Sequence, residues 1–278
     1  MDQFRPGGFR ILPPVVKNLI IINGLFFLAT LAVSGSFGID LIDILGLHYF
    51  AAEKFSPYQF ITYMFMHGGF MHIFFNMFAL WMFGNALENI WGPKRFLTYY
   101  FVTGIGAAIT HYVVFYFEIS PVLTVINNYL DNPSHEALTQ FLNSDNFQLA
   151  SYEMQDTFNQ FRDRYNELIN NNPVSALQLS VDFMTEYKRE FLNAPVVVGA
   201  SGAVFGILLA FGMLFPNALI YLYFAIPIKA KYFVMIYGAI ELFSGIYNRG
   251  SNVAHFAHLG GMVFGYFLLM YWKNRRWR

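Results

Sequence analysis

Three short stretches of this chain hold side chains whose chemistry fits one reaction. In Gly199-Ala200-Ser201-Gly202 a serine sits among small neighbours. A serine hydroxyl is a weak nucleophile at neutral pH and needs a base within hydrogen-bond reach. On its own, such a serine is more often a residue that lets membrane helices pack closely. The second stretch, Ala254-His255-Phe256-Ala257-His258-Leu259-Gly260-Gly261, offers a base twice. Spacing does not choose between His255 and His258. The third, His72-Ile73-Phe74-Phe75-Asn76, places an imidazole and an amide four residues apart, and so on one helix face. Taken alone, these two groups could simply satisfy each other inside a bundle. Aimed at a developing oxyanion, each such donor is worth about 2.7–4 kcal/mol. Nucleophile, base and oxyanion donors together are the parts of acyl transfer by a serine.

The elements that must carry these groups are membrane helices. Of the 278 residues, 56% are hydrophobic and 12% charged, with a mean hydropathy of +0.42. Soluble domains sit nearer 45–50% and about 25%. Six segments approach the length of about 20 apolar residues needed to cross the bilayer: 15–36, 70–90, 96–117, 194–215, 232–247 and 253–272. The stretch NALIYLYFAI between Pro216 and Pro227 reads as a re-entrant or interfacial piece. The basic first residues are followed by an apolar run with no small-residue cleavage site, which predicts a first spanning helix and no removed signal peptide. No separate cytoplasmic domain is expected before it.

Charge placement orients the spans. One side carries Arg5, Arg10, Lys17, Lys94, Arg95, Lys229, Lys231, Lys273, Arg275, Arg276 and Arg278, the other only Lys54 and Arg249 in its short segments. Both termini are therefore expected in the cytoplasm. Ser201, the histidine pair and His72 then gather near the opposite, extracytoplasmic end. Gly202 with Gly206, and Gly261 with Gly265, form small faces that would let the fourth and sixth spans approach. The expected organisation is spans one to three over 1–117, an extracytoplasmic insertion over 118–193, and spans four to six with a basic tail over 194–278. The insertion is polar, with eleven acidic against four basic residues. Its runs YEMQDTFNQFRDRYNELI and ALQLSVDFMTEYKREFL have helical apolar spacing. A net charge of zero argues against nucleic-acid binding. The absence of cysteine excludes disulfides, thiolate catalysis and Cys-ligated metals.

In His72-x-x-x-Asn76, in Gly199-Ala200-Ser201-Gly202, and in Ala257-His258 running into Gly261 and Gly265, the sequence resembles the rhomboid intramembrane serine proteases. The likeness covers the six spans and nearly all of the chain except 118–193, a loop larger than expected of a minimal bacterial member. Glu88, in Gly84-Asn85-Ala86-Leu87-Glu88, matches a buried structural acid of the family near the cytoplasmic end of span two. The resemblance implies an all-α membrane protein, a rhomboid-like bundle of six transmembrane helices with both termini cytoplasmic. It implies Ser201 as nucleophile and His258, in preference to His255, as base, with no aspartate orienting that base. His72, Asn76 and the Ser201 backbone N–H take the oxyanion positions. Phe205 stands where a tyrosine often stacks on the histidine, and Pro57-Tyr58-Gln59 replaces a common Trp-Arg pair. The implied activity is cleavage of transmembrane protein substrates near the outer face of the bilayer, in a water-filled hollow, with no metal or organic cofactor. The implied place is the plasma (inner) membrane of a bacterium.

Other chemistries fit less well. The nearest approach to a His-Glu-x-x-His zinc motif, His135-Glu136-Ala137-Leu138-Thr139, lacks the second histidine. An aspartyl protease needs two aspartates within spans, and the six segments contain none. The alternative of another class is a non-catalytic rhomboid-like protein that binds membrane proteins without cutting them.

Overall fold

The computed structural model describes residues 10–149, 152–222, 225–247 and 254–275. Arg5, Arg249, Arg276 and Arg278 of the charge pattern lie outside the described residues. The chain is mostly helical and falls into two compact units. The described residues of Met1–Leu47, Pro57–Tyr112 and Val197–Arg278 form the first, and His48–Ser56 with Val113–Val196 the second.

The first unit opens with α1, Pro14–Phe37. Pro14 suits its start, because a proline ring fixes φ and the missing N–H has no intrahelical acceptor there anyway. The next two amides, Val15 and Val16, donate to Glu88 Oε1 and Oε2 at 2.9 and 2.8 Å. A buried carboxylate thus satisfies two orphan N–H groups of the helix N-terminus. Gly38 closes α1 with φ +65°, its N–H returning to the Ser34 carbonyl. Along α1, Leu25, Leu28 and Leu31 stay more than half exposed. Soluble monomers rarely leave so continuous an apolar face uncovered.

Helix α2, Phe70–Trp91, contains a π turn at Leu80–Gly84. Helix α3, Pro93–Asp131, runs well beyond the expected end at 117. Its residues up to Tyr112 belong to the first unit and those from Val113 to the second. Among the described residues, α1, α2 and α3 are the three helices long and apolar enough, by length and composition, to cross a membrane.

The window 194–215 becomes a shorter helix, labelled α7 because α4 to α6 lie in the second unit. It covers only Ser201–Leu214 and is buried along most of its length. Pro195 and the positive φ of Gly199 keep the preceding residues out of the helix. Of NALIYLYFAI, Leu219–Leu222 forms β1, which pairs antiparallel with β2, Ile226–Lys229, with Tyr221 opposite Pro227, and Tyr223 and Phe224 lie outside the described residues. Helix α8, Ala230–Tyr247, and helix α9, His255–Arg275, complete the unit.

Close backbone approach shapes the centre. A Cβ on Gly261 of α9 would strike the backbone of Gly202 on α7. One on Gly206 would lie 2.6 Å from Thr103 of α3 and 3.0 Å from the Gly261 carbonyl. Gly265 meets Tyr99 and Thr103 of α3, so of the two α9 glycines Gly261 lies against α7 and Gly265 serves α3. Tyr99 also donates to the Gly206 carbonyl at 2.9 Å.

In the second unit, the last turns of α3 pack with α4, His135–Leu142, α5, Tyr152–Asn171, and α6, Pro173–Asn193. Ile126, Tyr129, Leu138, Phe141, Phe161 and Phe183 belong to its own apolar core. Phe161 stacks on Phe183 at 4.2 Å. Ser134 and Asn172 cap α4 and α6 through side-chain oxygens. His135, of the incomplete zinc motif, pairs instead with the Tyr165 hydroxyl at 2.6 Å.

Candidate active site

The site lies in the first unit, where α7 begins. Gly199 has φ +121°, a conformation L side chains rarely adopt, and its N–H donates to the Tyr63 carbonyl at 2.9 Å. A Cβ there would lie 2.7 Å from His72 Nε2 and 3.6 Å from Ser201 Oγ. Glycine therefore permits the backbone turn and leaves the space between an imidazole and a serine hydroxyl open. Ser201 is the first residue of α7, where amides have no intrahelical acceptor and the helix dipole favours negative charge.

Helix α9 brings His258 against it. His258 Nε2 lies 2.8 Å from Ser201 Oγ. The imidazole is buried, and Phe205, one turn into α7, stacks flat on it with centroids 4.3 Å apart. His255 takes a different position, its Nδ1 pointing to Glu241 Oε2 at 2.6 Å. His258 Nδ1 reaches the same oxygen at 3.0 Å. With Nδ1 donating to a carboxylate, Nε2 is the acceptor for the serine hydroxyl.

Glu241 is the residue that sequence reasoning misses, because the resemblance implies no acid behind the base. A signal exists all the same. Glu241 is the single acid of segment 232–247, and ionisable residues at membrane depth are functional candidates by default.

Glu241, His255 and His258 also have the composition of a divalent-metal site, with one ligand atom from each lying within 4.8 Å of the others. Two atoms each about 2.0–2.2 Å from a tetrahedral zinc would stand about 3.4 Å apart. The separations of 2.6 and 3.0 Å are those of N–H···O bonds.

On α2, His72 approaches the site beside Gly199, its ring 4.9 Å from that of His67. Asn76 is buried, and its Nδ2 has no hydrogen-bond partner among the described residues. An unspent buried donor is costly unless something is to be bound there. Glu88 sits at the far end of α2, at the start of α1. Gly202, Gly261 and Gly265 line the helix crossings already described.

The half-buried Ser201 hydroxyl thus meets the His258 imidazole at the start of an apolar helix, within the reach a base needs to activate a hydroxyl. The Rhomboid domain matches residues 54–119 and 174–275, so this chain belongs to the rhomboid family. Characterised members of that family are serine proteases, and the chain is a multi-pass membrane protein. Residues 120–173 fall outside the match. The chain is 38% identical over 56 residues to the Rhomboid protease GluP of Bacillus subtilis (strain 168), covering 20% of this chain and 11% of that protein. It is 27% identical over 104 residues to the Rhomboid-like protein 15 of Arabidopsis thaliana, covering 37% of this chain and 25% of that protein. The matched stretches thus span a quarter or less of these relatives.

Proposed function

We propose that this protein is an intramembrane serine endopeptidase that cuts transmembrane segments of other membrane proteins near the outer face of the bilayer. The observation that carries the reading is the 2.8 Å approach of His258 Nε2 to Ser201 Oγ at the N-terminus of α7. The six apolar segments cross the membrane with both termini cytoplasmic, in the plasma membrane of a bacterium. Exposed Met235, Ile236 and Phe243 on α8 suit contact with lipid. The fourteen residues of α7 span about 21 Å. The hydrocarbon core is about 30 Å thick. A helix this short leaves its first residue recessed, which favours a hollow open to the extracytoplasmic side.

A substrate helix unwinds locally and presents a carbonyl to Ser201. As Oγ attacks the carbonyl carbon, its proton passes to His258 Nε2. Such base catalysis contributes roughly 10²–10⁴-fold. The oxyanion takes N–H donors from His72, Asn76 and the Ser201 backbone. The imidazolium then protonates the leaving amine, the C–N bond breaks, and an acyl-enzyme remains. Water, deprotonated by His258, attacks the ester and releases the new carboxyl end. The polar unit at 118–193 is an extracytoplasmic insertion.

The test is cleavage of a transmembrane test substrate in detergent or liposomes by wild type, Ser201→Ala and His258→Ala. Cleavage by wild type alone supports the reading. Equal cleavage by all three would sink it.

A further inference from the structure

Resting on that reading, we propose that Glu241 is a positioning residue for His258, so that the working unit is a Ser201–His258–Glu241 relay braced by His255. Four observations converge on it. Glu241 is 5% exposed on a mostly apolar helix, and an unpaired carboxylate in such a place costs several kcal/mol. Both of the N–H groups that compensate come from one helix, one turn apart, at His255 and His258. Both reach a single oxygen, Oε2, which pins α8 to α9 beside the nucleophile. Finally, the bond to His258 is made at Nδ1 while Nε2 faces Ser201.

That last point decides the chemistry. A neutral imidazole carries one proton, and the partner of one nitrogen selects which nitrogen holds it. A carboxylate accepts only, so it draws the proton to Nδ1 and leaves Nε2 free to take the serine proton. Phe205 holds the ring by its face and Glu241 by its edge, which leaves the imidazole one orientation. When Nε2 becomes protonated during attack, the carboxylate also lies against the positive ring. His255 supplies Glu241 with a second donor, so the acid stays anchored as His258 changes protonation.

The experiment compares Glu241→Gln, Glu241→Asp and His255→Ala with wild type and Ser201→Ala on one transmembrane test substrate, separating kcat from KM. It also records ¹⁵N spectra of histidine-labelled protein. In Glu241→Gln the side-chain amide can donate to Nδ1 and favour the wrong tautomer, and a fall in kcat of about 10²–10⁴-fold is expected, with KM little changed. Glu241→Asp recovers part of the rate, and His255→Ala loses less than Glu241→Gln. The wild-type spectrum shows His258 protonated at Nδ1, and Glu241→Gln moves that proton to Nε2. Full kcat in a folded Glu241→Gln protein, with Ser201→Ala inactive, overturns the relay and leaves the protease reading standing. Activity in Ser201→Ala overturns the protease reading itself. Should Glu241→Gln fail to fold, the wild-type spectrum decides, and an Nε2-protonated His258 overturns the proposal.

Discussion

Phe205 lies flat on His258, with planes 5° from parallel, and also stacks with Tyr237 at 5.1 Å and 27°. Three rings from α7, α8 and α9 therefore form one stack beside Ser201. The phenyl group cannot donate a hydrogen bond, so its contribution to the imidazole is orientation. Phe205→Ala removes the plate against which the ring rests. Misplacement of a reacting group by about 1 Å can cost 10²-fold in rate, so kcat should fall about 10–10²-fold in this variant. Phe205→Tyr, which keeps the ring, should stay close to wild type. Steady-state cleavage of the test substrate checks both, and an unchanged kcat in Phe205→Ala would remove the stack from the mechanism.

Asn76 keeps a buried amide nitrogen without a partner among the described residues, and His72 stands across the open space that Gly199 preserves. If these groups bind an oxyanion, their loss acts on the transition state and not on substrate binding. Asn76→Ala and His72→Ala should each lower kcat by about 10²–10³-fold, near 2.7–4 kcal/mol, with KM changed little. Wild-type kcat in both variants would leave the oxyanion without these donors.

Ser201, His72 and Asn76 are legible in the sequence because each lies in a short motif whose spacing survives in one dimension. Spacing leaves His255 and His258 open, and only the family resemblance points to His258, the one whose Nε2 lies against Ser201. Glu241 has no such neighbour, since its two partners come from another helix, fourteen and seventeen residues away. Hydropathy windows find where apolar chain runs but not where helices start. Hence 194–215 reads as one span although the helix starts at Ser201. Helix α3 passes its expected end because Ile119, Ile126 and Tyr129 continue a helical apolar face inside a polar composition. The β1–β2 hairpin is hidden for a plainer reason. Two four-residue, mostly apolar strands give too little alternation to distinguish them from a broken helix.

The three ligand-type atoms around Glu241 make a chelator a useful probe. Their 2.6 and 3.0 Å separations are hydrogen-bond lengths. Prolonged treatment with EDTA should therefore leave cleavage within about twofold of the untreated enzyme, whereas stripping a working metal from the site would abolish it. Loss of activity restored by added zinc would reassign the cluster.

Glu88 should matter for stability and not for chemistry. It lies sixteen residues along α2 from His72, about 24 Å away, and its two oxygens hold the Val15 and Val16 amides. Glu88→Ala leaves the Val16 donor buried without an acceptor, at a cost of about 1–3 kcal/mol, and the part-buried Val15 donor unpaired at a smaller cost. Thermal unfolding in detergent should shift down clearly, while kcat per folded molecule below that transition stays at the wild-type value. A fall in kcat without loss of stability would place Glu88 in the catalytic apparatus.

The crossing of α7 and α9 gives the sharpest contrast between two glycines. At Gly261 an added Cβ meets the backbone of Gly202, which cannot rotate away as a side chain would. The helices must separate, and His258, one turn before Gly261, must move with its helix away from Ser201. Gly24, on α1, has nothing within 4 Å of the same added atom. Gly261→Ala should therefore destabilise by about 1–3 kcal/mol through overpacking, and should slow both cleavage and labelling of Ser201 by a fluorophosphonate. Gly24→Ala should be neutral or stabilise by up to about 1 kcal/mol, since alanine restricts the chain more and favours helix. Its labelling rate should match wild type. Equal behaviour of the two variants would show that the α7–α9 approach does not set the distance between Ser201 and His258.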